Sequence, residues 1–287
     1  MRPRMRHILL VVACVTLVLT ASPGGVLAQG RGGGDGASST PRVNLNAPGE
    51  VPRKGPPAPA PRDASGRVVL YGTPDGKGIW MPVLEFGAHL LPPTEIPFQP
   101  WAKRMYEDRG VTQLEPHTRC KPSGGVRQLQ TPYGVEIIEL ADAKRIFLFD
   151  VGGPHTYRTV YMDGRTHPSS VPPTYYGHSI GWWEGKDTLV IDTVGYSENF
   201  WLDRKGLPST EHLHTIERFT RRLLDTTDYE ITIDDPHTYT RPFTAKFELR
   251  LEPAIEPYEY ICQEANYAEQ LMIREGAKNE FGSDFIP

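Results

Sequence analysis

The sequence predicts a mainly β protein, folded as an antiparallel closed barrel of the lipocalin or calycin type, or as a sandwich, with one or two short helices. Two observations support this prediction. Short alternating or apolar runs recur through the chain, with turn residues between them. The chain also lacks the alternation of strands and helices that accompanies a parallel sheet. The fold class by itself assigns no function.

The clearest strand is residues 243–251, where apolar side chains occupy every second position and polar ones fill the positions between. This alternation is typical of an antiparallel strand with one face in solvent. Similar runs predict further strands at 135–140, 145–150, 156–162, 188–194, 212–221, 228–234 and 258–262.

Turn and helix signals complete the predicted domain. Asp163-Gly164 is typical of a hairpin turn, which would join two antiparallel neighbours. Residues 98–109 predict a helix with Trp101 and Met105 on one face, and residues 267–275 predict a short closing helix.

The N-terminal segment has the three parts of a secretory signal peptide. Residues 1–7 are rich in arginine, residues 8–20 are apolar, and Val26-Leu27-Ala28 offers small residues for cleavage after Ala28. A lipoprotein signal with Cys14 as the modified residue is the alternative, but apolar residues continue beyond that cysteine. We therefore expect residues 1–28 to be removed from a secreted or periplasmic protein. The apolar run is shorter than the roughly 20 residues of a membrane span, so no transmembrane anchor is expected in the mature chain.

The rest of the chain divides into two parts by composition. Residues 29–65 contain almost no large apolar side chain, which predicts a disordered spacer rich in glycine and proline. Residues 66–287 form the predicted single β-rich globular domain. The formal net charge of the chain is −4, and it becomes more negative without the arginines of the signal peptide. An acidic domain repels phosphate backbones, so nucleic acid is not an expected partner.

The first candidate site is a set of acid/base residues, namely His178, Asp192, His214 and Glu217. A histidine and a carboxylate within reach of each other can transfer protons as a general acid and base. Asp192 interrupts an apolar run, and a carboxylate there requires a partner if it is buried. His214 and Glu217 face opposite sides of one strand, so a single site can use both only across a bulge. The alternative is a buried polar network that stabilises the barrel, for example with Arg218 on Asp192.

A second candidate is a metal site at His212-x-His214. Two histidines at this spacing on a strand can ligate zinc or iron, but the further ligands of a cupin-like site are missing at the required spacing. We predict neither a metal nor a cofactor.

Aromatic residues near His178 in the sequence form a third candidate, a cleft for a small-molecule ligand. The set is Tyr175, Tyr176, Trp182, Trp183 and Trp201. Aromatic faces stack on sugars or planar ligands, although they also build ordinary cores. Adjacent tryptophans on one strand face opposite ways, so only one of Trp182 and Trp183 can belong to the core.

Cys120 and Cys262 are predicted to form a disulfide. They are the two cysteines that remain after removal of the signal peptide, and export places them in an oxidising compartment. Two separate buried thiols are the alternative.

Several strings taken together resemble a large uncharacterised family of exported bacterial proteins, over roughly residues 79–270. They include GHSIG at 177–181, WEG at 183–185, DTLVIDT at 187–193 and TIDDP at 232–236. The resemblance implies export and a shared fold. It assigns no reaction, ligand or functional residue.

Three functions therefore remain open from the sequence. The first is a secreted binding protein whose barrel holds a small apolar, aromatic or sugar-like ligand. The second is a secreted hydrolase, lyase or isomerase that uses a histidine and a carboxylate. A structural role in the cell envelope is a third alternative. Convergence of His178, Asp192 and His214 would favour the enzyme.

Overall fold

A computed structural model describes residues 56–74, 76, 78–84, 90–150, 156–257 and 262. The predicted signal peptide, most of the spacer, and the predicted elements at 258–262 and 267–275 lie outside the described residues, apart from Cys262. No helix among the described residues is both long enough and apolar enough to cross a membrane.

Nine strands of the described chain form a closed barrel, in which neighbours pair in chain order and the last strand pairs with the first. They are β1 (Ile79–Pro82), β2 (Val135–Leu140), β3 (Arg145–Asp150), β4 (Tyr157–Tyr161), β5 (His178–Glu184), β6 (Thr188–Val194), β7 (His214–Leu223), β8 (Thr226–Asp234) and β9 (Phe243–Glu252). The described helices are α1 (Pro100–Thr112), a 3-10 turn (Pro116–Arg119) and α2 (Gly125–Gln128). The predicted β-rich fold with a closed barrel and short helices is confirmed.

One strand pair departs from the predicted antiparallel order. β4 and β5 run parallel, with Val160 opposite Ser179 and Tyr161 opposite Ile180. The hairpin predicted at Asp163-Gly164 is therefore wrong. The residues after that turn contain three prolines, at 168, 172 and 173, which cannot donate to a strand ladder. The chain instead passes over the barrel between residues 162 and 177 and re-enters the sheet as β5.

Helix α1 confirms the predicted element but not its predicted buried face. Pro100 begins the helix, a position where its missing N–H costs no hydrogen bond. Ala102 and Tyr106 are the buried side chains, whereas Trp101 and Met105 are 36% and 38% exposed. Tyr106 packs on Phe98 with ring centroids 5.2 Å apart, so its aromatic contact determines which face is buried.

The barrel interior is filled by side chains that alternate along the strands. In β7, Glu217, Phe219 and Arg221 are buried, while the residues between them are partly exposed. Phe219 packs on Tyr229 of β8 with ring centroids 4.9 Å apart. Trp80 of β1 is also fully buried in this core. This filling differs from a barrel that holds a ligand at its centre.

The segment before β1 closes one end of the barrel. Arg221, on β7, donates from Nη1 to Val69 O at 2.6 Å and from Nη2 to Gly72 O at 2.8 Å. Val68 N donates to Lys186 O, in the β5–β6 turn, at 2.8 Å. The segment therefore forms hydrogen bonds both with β7 and with the β5–β6 turn.

The contacts with the barrel extend into residues 56–65, which the sequence assigns to the disordered spacer. Leu224 N donates to Ala58 O at 2.9 Å, and Arg62 binds Asp187 at 2.6 Å. Backbone hydrogen bonds and this ion pair therefore hold part of the predicted spacer against the barrel.

The predicted disulfide between Cys120 and Cys262 is confirmed. The two Cα atoms lie 5.5 Å apart, within the range that a disulfide requires, and the sequence separation is 142 residues. The bond links the loop between the 3-10 turn and α2 to the chain that follows β9.

Candidate active site

Three histidines and one aspartate form a cluster on the outer face of β5, β6 and β7. His178 begins β5, Asp192 lies in β6 and His214 begins β7, at positions whose side chains alternate outward. The fourth member, His167, comes from the crossover segment 162–177. Asp192 Oδ1 lies 2.8 Å from His214 Nε2 and 3.1 Å from His167 Nε2. His167 Nδ1 lies 2.8 Å from His178 Nδ1.

The pKa of Asp192 lies below the ordinary carboxyl value, so this side chain is ionised, and the distances then define the direction of each hydrogen bond in the cluster. An ionised carboxylate can only accept, so His214 Nε2–H and His167 Nε2–H both donate to Asp192. The Nδ1 atom of His167 then carries a lone pair and accepts from His178 Nδ1–H. His178 Nε2 is left with a lone pair, and among the described residues it has no hydrogen-bond partner.

The surroundings shift the pKa values of the cluster members in different directions. Partial burial alone would raise the pKa of Asp192, but hydrogen bonds from His214 and His167 outweigh it and hold that pKa below its ordinary value. The hydrogen bond to Asp192 raises the pKa of His214. Partial burial lowers the pKa of His178, and the neighbouring His167 and Arg165 lower it further. His178 is therefore neutral at pH 7, as a general base must be.

One aromatic and two cationic side chains, those of Tyr161, Arg165 and Arg145, lie beside His178. The His178 ring stacks on Tyr161, the last residue of β4, with ring centroids 5.2 Å apart. Arg165 lies over the same tyrosine ring at 4.0 Å, and the guanidinium of Arg145 lies 5.4 Å from that ring. Asp163 binds Arg165 and orients it. The stack fixes the plane of the His178 ring.

Glu217 does not join this cluster. It points into the barrel, where its carboxylate binds Arg158 and accepts from Tyr229 OH at 2.7 Å. Both charged side chains are at most 1% exposed. The proposed catalytic role of Glu217 therefore has no geometric support. His214 and Glu217 face opposite sides of β7, as the alternation along the strand predicts. Arg218, the suggested partner of Asp192, binds Glu184 instead.

The five aromatic residues do not line one common cleft. Trp182 is 42% exposed on the outer face, and Trp183 faces the other way and lines a pocket at the barrel end. Tyr176 OH donates inside the barrel to Asp150, whose pKa burial raises to about 6. Tyr175 packs against the core, and Trp201 is buried under Arg109. Residues adjacent in sequence thus reach different sides of the barrel.

The His212-x-His214 pair does not converge on a metal position. His212 stacks on His237 with centroids 4.0 Å apart, while His214 binds Asp192. The described residues contain no group of three or more ligating side chains arranged to hold a metal ion.

Sequence reasoning missed His167, the residue that connects Asp192 to His178. The available signal was the string YMDGR at 161–165, which is followed closely by His167-Pro168. Its contact with β6 depends on the parallel pairing of β4 and β5, which no local pattern predicted.

Comparison of the chain with protein-family models, with curated proteins and with solved structures returned no match. The site is therefore interpreted from its own geometry.

Proposed function

We propose that this protein is a secreted or periplasmic enzyme that transfers a proton to or from a small molecule, as a hydrolase, lyase or isomerase. The observation that supports this function is the chain of hydrogen bonds from His214 through Asp192 and His167 to His178. His178 donates to His167, His167 donates to Asp192, and His214 donates to the same carboxylate from the other side, which leaves His178 Nε2 with a free lone pair.

In this proposal His178 Nε2 is the general base that accepts the proton. The imidazolium that forms keeps its Nδ1–H bond to His167, and Asp192 stabilises the positive charge through His167. His214 holds Asp192 in place and, through its raised pKa, helps keep the carboxylate ionised. A base in this role contributes on the order of 10²–10⁴ in rate.

Export of the protein belongs to the same proposal. Its support is the three-part N-terminal pattern together with the Cys120–Cys262 bond, because structural disulfides persist mainly in oxidising compartments. Mass measurement of the mature protein from the culture medium or periplasm tests it, with cleavage after Ala28 expected.

The hydrogen-bond chain can be tested without a substrate by nitrogen-15 NMR of the imidazoles at pH 7. We expect His178 to carry its proton on Nδ1, which donates to His167 Nδ1, and His167 to donate from Nε2 to Asp192. Asp192→Asn adds an amide N–H that can reverse the tautomer of His167 and thus of His178. Identical His178 spectra in wild type and Asp192→Asn would remove the basis of the proposal.

Activity is tested on three probe classes, one for each reaction: nitrophenyl esters and glycosides, polyuronates that undergo elimination, and ketoses in deuterated water. We expect turnover in one class, reduced about 10²-fold or more by His178→Ala. The rate should rise with pH and level off at a lower pH than the ordinary histidine pKa of 6.5, because that of His178 is lowered.

The matched control is His237→Ala, a surface histidine that stacks on His212. It should leave turnover unchanged. Turnover of none of the probes by the wild type, or equal turnover by His178→Ala, would contradict the enzyme proposal.

A further inference from the structure

A group of aromatic side chains lies on the outer face of the sheet, on the same side as His178. Phe147, Phe149 and Tyr157, here called the aromatic platform, alternate outward on β3 and β4. Their ring centroids lie between 5.7 and 5.9 Å apart. Tyr157 is 56% exposed, and the two phenylalanines are partly exposed. The platform therefore presents contiguous ring surface to solvent, as binding surfaces do.

The strand register places the platform beside the proposed base. Val160 of β4 is opposite Ser179 of the parallel strand β5. The preceding residues, Thr159 and His178, are therefore also level with each other. Phe147 of β3 is opposite Thr159 in turn, so it lies two strands from His178, which is about 10 Å across the outer face. The platform and the histidine cluster are parts of one continuous surface.

Positive charge lies where the platform meets the histidine cluster. Arg145 is exposed and is opposite Tyr161 in the register, with its guanidinium 5.4 Å from that ring. Among the described residues Arg145 forms no salt bridge, whereas the charge of Arg165 over the same ring is offset by Asp163. Arg145 therefore supplies an uncompensated positive charge close to the base.

The far end of the platform carries a hydrogen-bond acceptor. Glu136 of β2 is opposite Phe149 on the outer face, and its carboxylate can accept from hydroxyl groups. Phe149 and Arg145 are four residues apart on β3, which is about 13 Å. This exceeds the Debye length of about 8 Å at physiological salt, so Glu136 does not cancel the attraction of Arg145 for an anion.

We propose that the histidine cluster and the aromatic platform bind one polymer, an acidic polysaccharide that places a carboxylate at Arg145 and stacks further sugars on the platform. This inference rests on the proposed function, because it names the substrate class of the same site. Sugar rings have apolar C–H faces that pack on aromatic rings, and their hydroxyl groups donate to an acceptor such as Glu136. A single sugar cannot contact both Phe147 and His178 across about 10 Å, so the ligand has several units.

The platform is small for a protein partner. A stable protein interface buries about 800 Å² on each side. A whole aromatic side chain offers about 150–250 Å², and the rings of the platform are only partly exposed. Stacking of individual sugar rings needs no larger surface than the platform provides.

The binding test uses two polyuronates, polygalacturonate and alginate, each beside its neutral methyl ester and its monomer. Retardation of the mature protein in native gels that contain the polymer measures affinity, and calorimetry with His178→Ala repeats the measurement without turnover. We expect at least one polyuronate to bind. Its ester, which lacks the charge, and its monomer, which cannot reach the platform, should bind about tenfold more weakly or worse.

Two pairs of variants locate the site. Tyr157→Ala removes an exposed platform ring and should weaken binding about tenfold, whereas Trp101→Ala, an exposed aromatic residue of α1 that contacts the β8–β9 loop, should leave it unchanged. Arg145→Gln should weaken binding severalfold and reduce its salt dependence. Arg241→Gln, the same change at an exposed arginine of the β8–β9 loop, should do neither.

Four results would overturn the inference. They are binding of neither polyuronate, equal affinity for a polyuronate and its ester, equal affinity of wild type and Tyr157→Ala, and a dimer of the free protein that Tyr157→Ala dissociates in sedimentation. The last result would assign the platform to a second copy of the chain.

Failure of this inference can be told apart from failure of the proposed function. Turnover of a nitrophenyl ester or a ketose without binding of a polyuronate would refute the substrate class alone. Binding that depends on Tyr157 and Arg145, without turnover of any probe, would support the polysaccharide site and contradict the catalytic role of His178.

Discussion

Glu217→Gln should destabilise the protein strongly, because it leaves the buried charge of Arg158 without its counter-ion. The carboxylate of Glu217 accepts from Arg158 on one oxygen and from Tyr229 OH at 2.7 Å on the other. The amide of glutamine has only one oxygen, so one of these two donors must face an N–H group. Arg158 is 1% exposed, which leaves water no access to the unpaired charge.

The expected loss in the free energy of unfolding is about 3–5 kcal/mol, the cost of breaking a buried ion pair by removing one partner. This is a large share of the roughly 5–15 kcal/mol that stabilises an ordinary domain. Ser179 and Thr193 still accept hydrogen bonds from Arg158, at 2.9 and 2.8 Å, and keep the loss from being greater. Arg158→Met combined with Glu217→Leu removes both charges, so it should cost less than Glu217→Gln alone.

Urea denaturation of the disulfide-bonded mature protein at pH 7 measures these values, provided that circular dichroism and tryptophan fluorescence give coincident transitions. The matched control is Glu184→Gln, which makes the same chemical change in the exposed pair with Arg218. An exposed pair is worth about 0–1 kcal/mol, so this variant should be nearly neutral. Equal losses for the two variants would refute the assignment of Arg158 and Glu217 as a desolvated pair.

Two further predictions concern stability. Reduction of the Cys120–Cys262 bond, which spans 142 residues of sequence, should lower the free energy of unfolding by about 5 kcal/mol in the chain-entropy model; equal urea midpoints with and without reductant would contradict this. Burial raises the pKa of Asp150 from 3.8 to about 6, so the folded state holds this proton more tightly than the unfolded chain does. The contribution of Asp150 to stability is therefore complete below about pH 4 and is lost as the pH rises through about 6, by roughly 3 kcal/mol in total. The wild type should lose more stability than Asp150→Asn between those two pH values, and parallel curves would exclude the effect.

The strands were predictable because their alternation is local. In β9 the apolar residues at 243, 245, 249 and 251 are buried as the pattern predicts, and β6 to β9 pair in chain order. The same local rule correctly placed His214 and Glu217 on opposite faces of β7. It also placed Trp182 and Trp183 on opposite faces of β5, which made a common aromatic cleft impossible for the pair.

The buried charges were not predictable from the same pattern. Arg158 occupies an alternating position in β4, and alternation alone does not show which of the two sets of side chains faces the interior. Its burial follows from its partner Glu217, which is 59 residues later in the chain. The interior position of Asp150 likewise depends on Tyr176 and Thr156, which follow the strand rather than belong to it. Pairings over such distances require the three-dimensional register.

The histidine cluster exists because β4 and β5 are parallel. A hairpin at Asp163-Gly164 would have carried the next residues back along the edge of β4, where a histidine at 167 would occupy a strand position beside β4. Parallel pairing instead requires the chain to return over the outside of the barrel before β5 can begin. That path brings His167 over β6, within 3.1 Å of Asp192, and leaves His178 at the first position of β5.

Gly177, immediately before His178, has a φ of 65°, and a Cβ there would lie 2.6 Å from Val194 O. The close approach of the crossover segment to β6 therefore requires glycine at this point, immediately before the proposed base.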